Sequence, residues 1–309
     1  MKVVLFGAGE IGRRILEKST YDVMAIVDNN PEIQGRKIYG KTVIGLEQYQ
    51  ESYRQYKIII STCKADEIAQ QLYMNGICDF SVAPEIYEDT NVVRDDKIAH
   101  GNWIDYLVEL CDKPGMRVLE IGSRNVTGDV FREKFHYASY TGFDYYKGEN
   151  VDVVGDAHKL SSYFHDEFDL IFSSAVFEHL AMPWRASTEI IKLLKKGGYV
   201  FIETHYSFSS HERPWHFFQF SENALDILFP NKFGMKCIRK GCSNLIEGRF
   251  SIDASEYLQG QRVSGLYCHS EYLGQKVDNV DEDELDWSQV SLEDVRKGTE
   301  YPKFIYSGK

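Results

Sequence analysis

Residues 117–128 read Arg117-Val118-Leu119-Glu120-Ile121-Gly122-Ser123-Arg124-Asn125-Val126-Thr127-Gly128. Val118, Leu119 and Ile121 make an apolar run of the length of one buried strand. Glu120 sits near its end, Gly122 follows as a turn, and a helix is predicted to start near Gly128. A strand, a glycine turn and a helix N-terminus form a site for a charged small molecule. Working outward, the next strands end in polar residues too. YTGFDYY is apolar up to Asp144, and VDVVGDAHKL runs to Asp156, Ala157 and His158. FDLIFSSAVFEHL carries Ser173 and is read as a strand ending in Glu178-His179. A helix closed by LKKGG (194–198) leads into the strand YVFIETH, which ends in His205.

The N-terminal stretch has the same logic. Lys2 to Phe6 is an apolar strand, followed by Gly7-Ala8-Gly9-Glu10-Ile11-Gly12 and a helix with Ile11, Ile15 and Leu16 on one face. YDVMAIVDN is a second strand ending in Asp28. This is GxGxxG between strand and helix. Gly7 allows the tight turn, Gly9 lets backbone approach a phosphate, Gly12 lets helix pack on strand, and Asp28 can accept from ribose hydroxyls. The unit continues through KTVIGLEQY, YKIIIST and CDFSV and stops near Pro84. That is closer to half of a dinucleotide-binding domain than to a complete one. A nucleotide site of Gly7, Gly9, Glu10, Ile11, Gly12 and Asp28, or a module that only scaffolds or dimerises, both fit.

With 309 residues the chain has room for two cores. A small nucleotide-binding module occupies 1–90, a polar linker 91–102, and a second α/β domain 103–309 with an acidic extension. The net charge of −12 argues against nucleic acid and anionic membrane surfaces, which call for clustered Lys and Arg. Residues 278–294 hold eight acids and no Lys or Arg, so the acidity is largely a tail property. Six cysteines are scattered without CxxC and read as reduced thiols, not a zinc site. MKVVLFGAGE runs straight into a nucleotide-fold strand and does not read as a signal peptide. No stretch has the ~18 apolar residues of a membrane span. A cytoplasmic protein is expected, as monomer or homodimer.

From Trp103 to Lys240 the ordered set resembles the class I S-adenosylmethionine-dependent methyltransferases. It is most similar to those found with bacterial polysaccharide, capsule and sugar-modification enzymes. These share a LEIGSR…G turn, an EH pair after the fourth strand, and an aromatic segment, here Pro214-Trp215-His216-Phe217-Phe218-Gln219-Phe220. The resemblance implies two Rossmann-like α/β domains, S-adenosylmethionine as cofactor and a sugar or nucleotide-sugar acceptor. It implies that Gly122, Ser123 and Arg124 lie against the methionine part of the cofactor, above Glu120. Asp144 would take the ribose hydroxyls, Asp156 and Ala157 the adenine, and Ser173 and Glu178 the remaining wall. The turn departs from the usual G-x-G-x-G, since Ser123-Arg124-Asn125-Val126 follows Gly122. Asp144 could instead be a turn cap, and Asp156 the N-cap of the helix at His158.

A methyl acceptor must lose a proton, which calls for a base such as histidine. His179, His205 and His216 are the candidates, with His211 beside them. His205, His211, Glu212 and His216 are also metal-ligand types, but their spacing matches no metal motif and no metal is expected. Trp184, Trp215, Phe217, Phe218 and Phe220 are core or a wall for a sugar ring, with Trp215 the better pocket candidate. Ser221 reads as the N-cap of NALDILF. Two other functions compete. A nicotinamide-dependent sugar-nucleotide oxidoreductase would use Gly7 to Gly12, but its Tyr-x-x-x-Lys pair would be Tyr53 and Lys57, and Lys57 opens a strand. A non-catalytic protein with two nucleotide folds would explain the altered turn.

Overall fold

The computed structural model describes residues 1–126, 128 and 130–291. The chain divides into two compact units, Met1–Thr90 with Leu245–Leu266, and Asn91–Asn244 with the segment from Tyr267 onward. Residues 245–266, expected within a second domain of 103–309, instead cluster with the first unit, and the expected linker 91–102 clusters with the second. Glu293 and Asp294 of the acidic extension lie outside the described residues.

In the first unit β1 (Lys2–Phe6), α1 (Glu10–Lys18), β2 (Asp22–Val27), β3 (Lys37–Ile38), β4 (Lys41–Ile44), α2 (Leu46–Ser52), β5 (Lys57–Ile60), α3 (Ala65–Met74) and β6 (Phe80–Val82) follow in order. The sheet runs β3-β4-β2-β1-β5-β6 and is parallel except for the β3–β4 pair. Strand order reverses beside β1, so the Gly7–Gly12 turn stands where open α/β sheets hold ligands. Lys57 lies in β5 and Tyr53 just beyond α2, so the two share no helical face.

The second unit contains α4 (Trp103–Cys111), β7 (Arg117–Ile121), β8 (Ser139–Asp144), β9 (Val153–Val154), β10 (Phe168–Ser174), α5 (Pro183–Leu193), β11 (Leu194–His205), α6 (Glu222–Leu228) and β12 (Met235–Leu245). A hairpin of β13 (Gly248–Arg249) and β14 (Arg262–Val263) follows in the first unit. Arg249 and Arg262 there both pair with Asp66. β15 (Tyr267–Lys276) returns to the second sheet. That sheet runs β12-β15-β11-β10-β7-β8-β9, with β15 antiparallel to β11 and parallel pairing from β11 to β9. The β7–β10 neighbours are its switch point.

β7 reads as a continuous apolar run because both faces of the sheet are covered. Leu119 and Ile121 enter one core with Phe143, Phe177 and Ile202, while Val118 enters the other with Trp103, Phe172 and Phe201. Trp103 stacks on Phe201 at 4.8 Å between centroids and meets Phe131 edge-on at 4.9 Å. Such pairs add about 0.5–1.5 kcal/mol each beyond their buried area.

Three expectations need correction. Among the described residues no α-helix starts near Gly128. Its φ of +99° lies outside right-handed helix space, and Phe131–Lys134 forms only a short 3-10 turn. The fourth strand ends at Ser174 rather than at Glu178-His179. Ala175 turns the chain at φ +52°, and Phe177–His179 is a 3-10 turn beyond it. LKKGG belongs to β11, where the pairing with β10 shifts between Phe168↔Leu194 and Leu170↔Tyr199.

Candidate active site

The carboxyl ends of β7, β8, β10 and β11 bring together most of the residues singled out in the sequence. Gly122 has φ +88°, and a Cβ there would lie 2.2 Å from Val176 Cγ2. Glycine is therefore required by conformation and by contact. The N–H groups of Gly122 and Ser123 both donate to the Phe143 carbonyl, at 2.8 and 3.1 Å. This ties the turn to the end of β8.

Asp144 holds the turn from the other side. Its carboxylate accepts from the backbone N–H of Arg124 at 3.3 Å and of Tyr146 at 2.8 Å. The Arg124 Nε lies 3.6 Å from Oδ1, and the guanidinium stacks over Tyr146. Glu120 is buried and faces sideways under the turn. It accepts from the Tyr140 hydroxyl and from Asn150 Nδ2, and burial raises its carboxyl above the usual range against those two donors. Asn150 had no signal in the sequence beyond a short polar turn. It adopts φ +68° and exchanges hydrogen bonds with Ser123 in both directions, at 2.9 and 3.0 Å.

Asp156 N-caps its turn, accepting from His158 N–H at 2.9 Å and from the His158 ring at 2.7 Å. Burial opposes its ionisation, but His158 more than offsets this and lowers its pKa. Met182 N–H donates to His158 Nε2 at 3.2 Å, so Nδ1 carries the proton. Ala157 is buried in the core beside Asp156. Ser173 is fully buried on the opposite face of the sheet from Glu120, next to Ile121 in register. The two are not brought together.

Beyond β10 and β11 the chain gathers histidines. Phe217 and Phe218 N–H groups donate to the Glu178 carbonyl at 2.8 and 3.2 Å, and Phe220 N–H donates to the His205 carbonyl at 2.9 Å. These bonds fold residues 206–220 back over the strand ends. His179 Nδ1 lies 3.0 Å from the Trp215 carbonyl, and its Nε2 is 3.7 Å from Glu212 and 3.9 Å from Glu178. A carbonyl only accepts, so Nδ1 carries the proton and Nε2 holds a lone pair. The rings of His179, His211 and His216 lie 4.7–5.9 Å apart, and His205 is 5.2 Å from His211. Glu178 is fully buried. Burial opposes its charge, but His205 and Thr204 outweigh this and hold it below the usual range. His216 accepts from His211 N–H and is pushed down by burial and its neighbouring imidazoles. His100, His269, Glu203 and Glu271 adjoin this group and were not anticipated.

The aromatic residues divide. Phe220 is core and Phe218 packs against it. Trp184, Trp215 and Phe217 are exposed, as are Tyr145 and Tyr146 beside Asp144. Trp215 and Tyr145 approach to 6.0 Å between centroids. Ser221 caps α6, accepting from Ala224 N–H at 3.2 Å. In the first unit, Asp28 accepts from Ala8 N–H and Asn30 N–H, each at 2.9 Å, and so closes the glycine turn itself. A Cβ on Gly12 would lie 2.2 Å from the Gly7 carbonyl oxygen, and one on Gly7 2.8 Å from the Ser61 carbonyl oxygen. A Cβ on Gly9 would meet nothing within 4 Å. Ile11 is partly buried, and Glu10 is exposed at the first turn of α1. Among the described residues no helix is long and apolar enough to cross a membrane. All six cysteines are free.

Comparison with known proteins gives two family matches. Residues 96–235 match a family model described as a methyltransferase domain, and residues 1–80 match one described as C2185-like, N-terminal. A curated relative, the redox-sensing transcriptional repressor Rex of Brevibacillus brevis, is 34% identical over 87 residues. That match covers 25% of this chain and 42% of Rex, so the chain spans well under half of that relative's length. Similar solved structures include TehB from Haemophilus influenzae, at 17% identity and TM-score 0.38, covering 56% of this chain and 61% of TehB. The N-methyltransferase NodS from Bradyrhizobium japonicum has 17% identity and TM-score 0.36, covering 57% and 94%. The 1,6-didemethyltoxoflavin-N1-methyltransferase of Burkholderia thailandensis has 16% identity and TM-score 0.40, covering 57% and 76%. None of these three scores supports a functional transfer. The family match stands on its own: residues 96–235 are similar to a methyltransferase domain.

Proposed function

We propose that this S-adenosylmethionine-dependent methyltransferase O-methylates a hydroxyl of a sugar or nucleotide-linked sugar during the building of a bacterial glycan. One observation carries the reading. Gly122, Asp144 and the Glu178–His179–His205 group line one edge of the second sheet, on both sides of its switch point. An activated sulfonium donor needs binding, alignment and a base for the acceptor proton, and that edge supplies all three.

On this reading the ribose hydroxyls donate to Asp144. A carboxylate offers about four acceptor sites, so the two backbone N–H groups leave it capacity. The Gly122–Arg124 turn covers the methionine part, and Asp156 with Ala157 borders the adenine. When bound, S-adenosylmethionine would supply an activated methyl group, and His179 Nε2 would take the proton of the acceptor hydroxyl. The Trp215 carbonyl holds the tautomer that makes this possible. His216 meets that ring edge-on at 5.9 Å between centroids, and His205 lies 2.9 Å from the Glu178 carboxylate beside it.

The exposed aromatics favour a sugar. Trp215, Phe217, Tyr145 and Tyr146 stand bare between Asp144 and His179, and a clustered apolar surface marks a binding site. Sugar rings present C–H faces that lie flat on such side chains. The first unit would grip a nucleotide handle at Gly7–Gly12, where Gly9 leaves open space at the N-terminus of α1.

The test is calorimetric titration with S-adenosylmethionine, followed by methyl transfer from labelled donor to a panel of UDP- and GDP-sugars. Micromolar donor binding and label in a sugar hydroxyl are expected. Label found only in amines or on carbon would overturn the O-methylation reading.

A further inference from the structure

The histidines beyond β10 and β11 contain a feature that methyl transfer does not account for. Glu178 is fully buried, and Thr204 Oγ1 donates to its Oε2 at 2.6 Å. Its other oxygen, Oε1, lies 2.9 Å from His205 Nδ1, yet the angles form no hydrogen bond. Neither atom has another hydrogen-bond partner among the described residues, and His205 is only 7% exposed. Two buried polar atoms left without a hydrogen bond carry a desolvation cost that their mutual attraction only partly offsets. A cation that both could ligate removes that penalty.

A third donor is already turned toward them. One ligand atom each from Glu178, His205 and His211 lies within 4.8 Å of the others. His211 Nδ1 is 3.0 Å from the Ser209 carbonyl, so Nδ1 carries the proton and Nε2 is the free donor. A backbone carbonyl on the far nitrogen is the outer contact that orients metal-binding imidazoles. We infer that Glu178, His205 and His211 bind one divalent first-row transition-metal ion of the zinc type. Two imidazoles and one carboxylate form a three-ligand set that leaves a coordination position open. A tetrahedral ion spaces its ligands about 3.3 Å apart, so His211, on the folded-back loop, closes inward by up to about 1.5 Å.

The neighbouring group of His100, Glu203 and His269 is a poorer site. Its atoms are engaged, His100 with Glu203 Oε2 at 2.9 Å and His269 Nδ1 with Asn244 at 3.0 Å. The site does not depend on the proposed substrate. If the acceptor reading holds, the ion stands beside His179 and polarises the acceptor hydroxyl as a Lewis acid.

The full chain is stripped with chelator and titrated with Zn2+ and Co2+, with elemental analysis for stoichiometry. We expect about one ion per chain and Co2+ absorption bands that Zn2+ abolishes. His211→Ala sits on a loop and leaves thermal melting unchanged while weakening binding at least about tenfold. Glu178→Gln also weakens binding at least about tenfold, and His269→Ala keeps the full stoichiometry. Failure to bind either ion overturns the site, as does equal affinity in His211→Ala. Loss in His269→Ala alone moves the ion elsewhere and overturns it too. Donor binding, measured on the same samples, separates this result from failure of the methyltransferase reading.

Discussion

Arg124 and Asp144 hold one another across the mouth of the second sheet. The Arg124 backbone N–H donates to Oδ2 at 3.3 Å while its Nε stands 3.6 Å from Oδ1. The backbone bond shapes the turn, and the side-chain pair is loose and partly exposed. The two halves therefore separate by mutation. Asp144→Ala removes the group that would receive the ribose hydroxyls. Hydrogen bonds to a charged group contribute about 1.5–3 kcal/mol, or roughly 10–100-fold in Kd. Arg124→Ala keeps its backbone N–H and loses only an ion pair worth about 0–1 kcal/mol. Calorimetry should show a large loss for the first and less than about fivefold for the second. A larger loss for Arg124→Ala would make the guanidinium, not the carboxylate, the main contact.

Gly122 leaves no room for a side chain. Alanine there meets both a positive φ, at about 1–2 kcal/mol, and the Val176 methyl at 2.2 Å. Gly122→Ala should lower stability by about 2–4 kcal/mol, counting the overpacking. In Gly122→Ala/Val176→Ala the overlap is gone but the backbone strain stays. The pair should therefore couple by about 0.5–3 kcal/mol in a double-mutant cycle read by chemical denaturation. Simple additivity would mean the turn moves instead of clashing.

Gly122, Asp144 and Asp156 were legible because buried parallel strands write apolar runs that stop at glycines and acids. Ser221 was legible because an N-cap is a local bond. The Gly128 helix misled, since nothing in the one-letter code displays a φ of +99°. The histidines were named from the sequence, but their convergence with Glu178 was hidden for the opposite reason. His179 follows β10, His205 ends β11 and His211 lies beyond it, so only sheet pairing brings them together. His269 faces His205 across the β11–β15 ladder in the same way. Asn150 was missed because its role consists of bonds to Ser123, Glu120 and Arg132, all distant in sequence.

Glu271 should make the second unit lose stability as pH rises. It lies opposite Glu203 in register, is almost fully buried, and accepts from the Ser243 hydroxyl. Burial drives its carboxyl up to about 8; Ser243 opposes this, Glu203 adds to it, and His100 opposes it. The folded state thus keeps a proton that the unfolded chain releases near its ordinary value of 4.5. Between those two values the unfolded state binds fewer protons, so stability falls as pH rises and levels off above about 8. Each unit of separation amounts to about 1.4 kcal/mol, so the swing is a few kcal/mol. Glu271→Gln keeps an acceptor for Ser243 and removes the titration. Denaturation at pH 5 and pH 8.5 should show the variant more stable than the parent only at the higher pH. Parallel curves at both would remove Glu271 as the cause.

His179 is the last residue to put under load. Its Nδ1–H rests on the Trp215 carbonyl at 3.0 Å, which leaves Nε2 to take a proton. A positioned base contributes about 10²–10⁴-fold in rate. His179→Ala should lower kcat by that range while the Kd for S-adenosylmethionine stays within about twofold, because Asp144 and the Gly122 turn are untouched. His179→Gln keeps a donor for the Trp215 carbonyl but cannot take up the proton, so it should be as slow as alanine. Rate and donor affinity measured on one preparation decide the matter. If glutamine restores most of the rate, His179 holds the loop in place, and proton transfer belongs to another group.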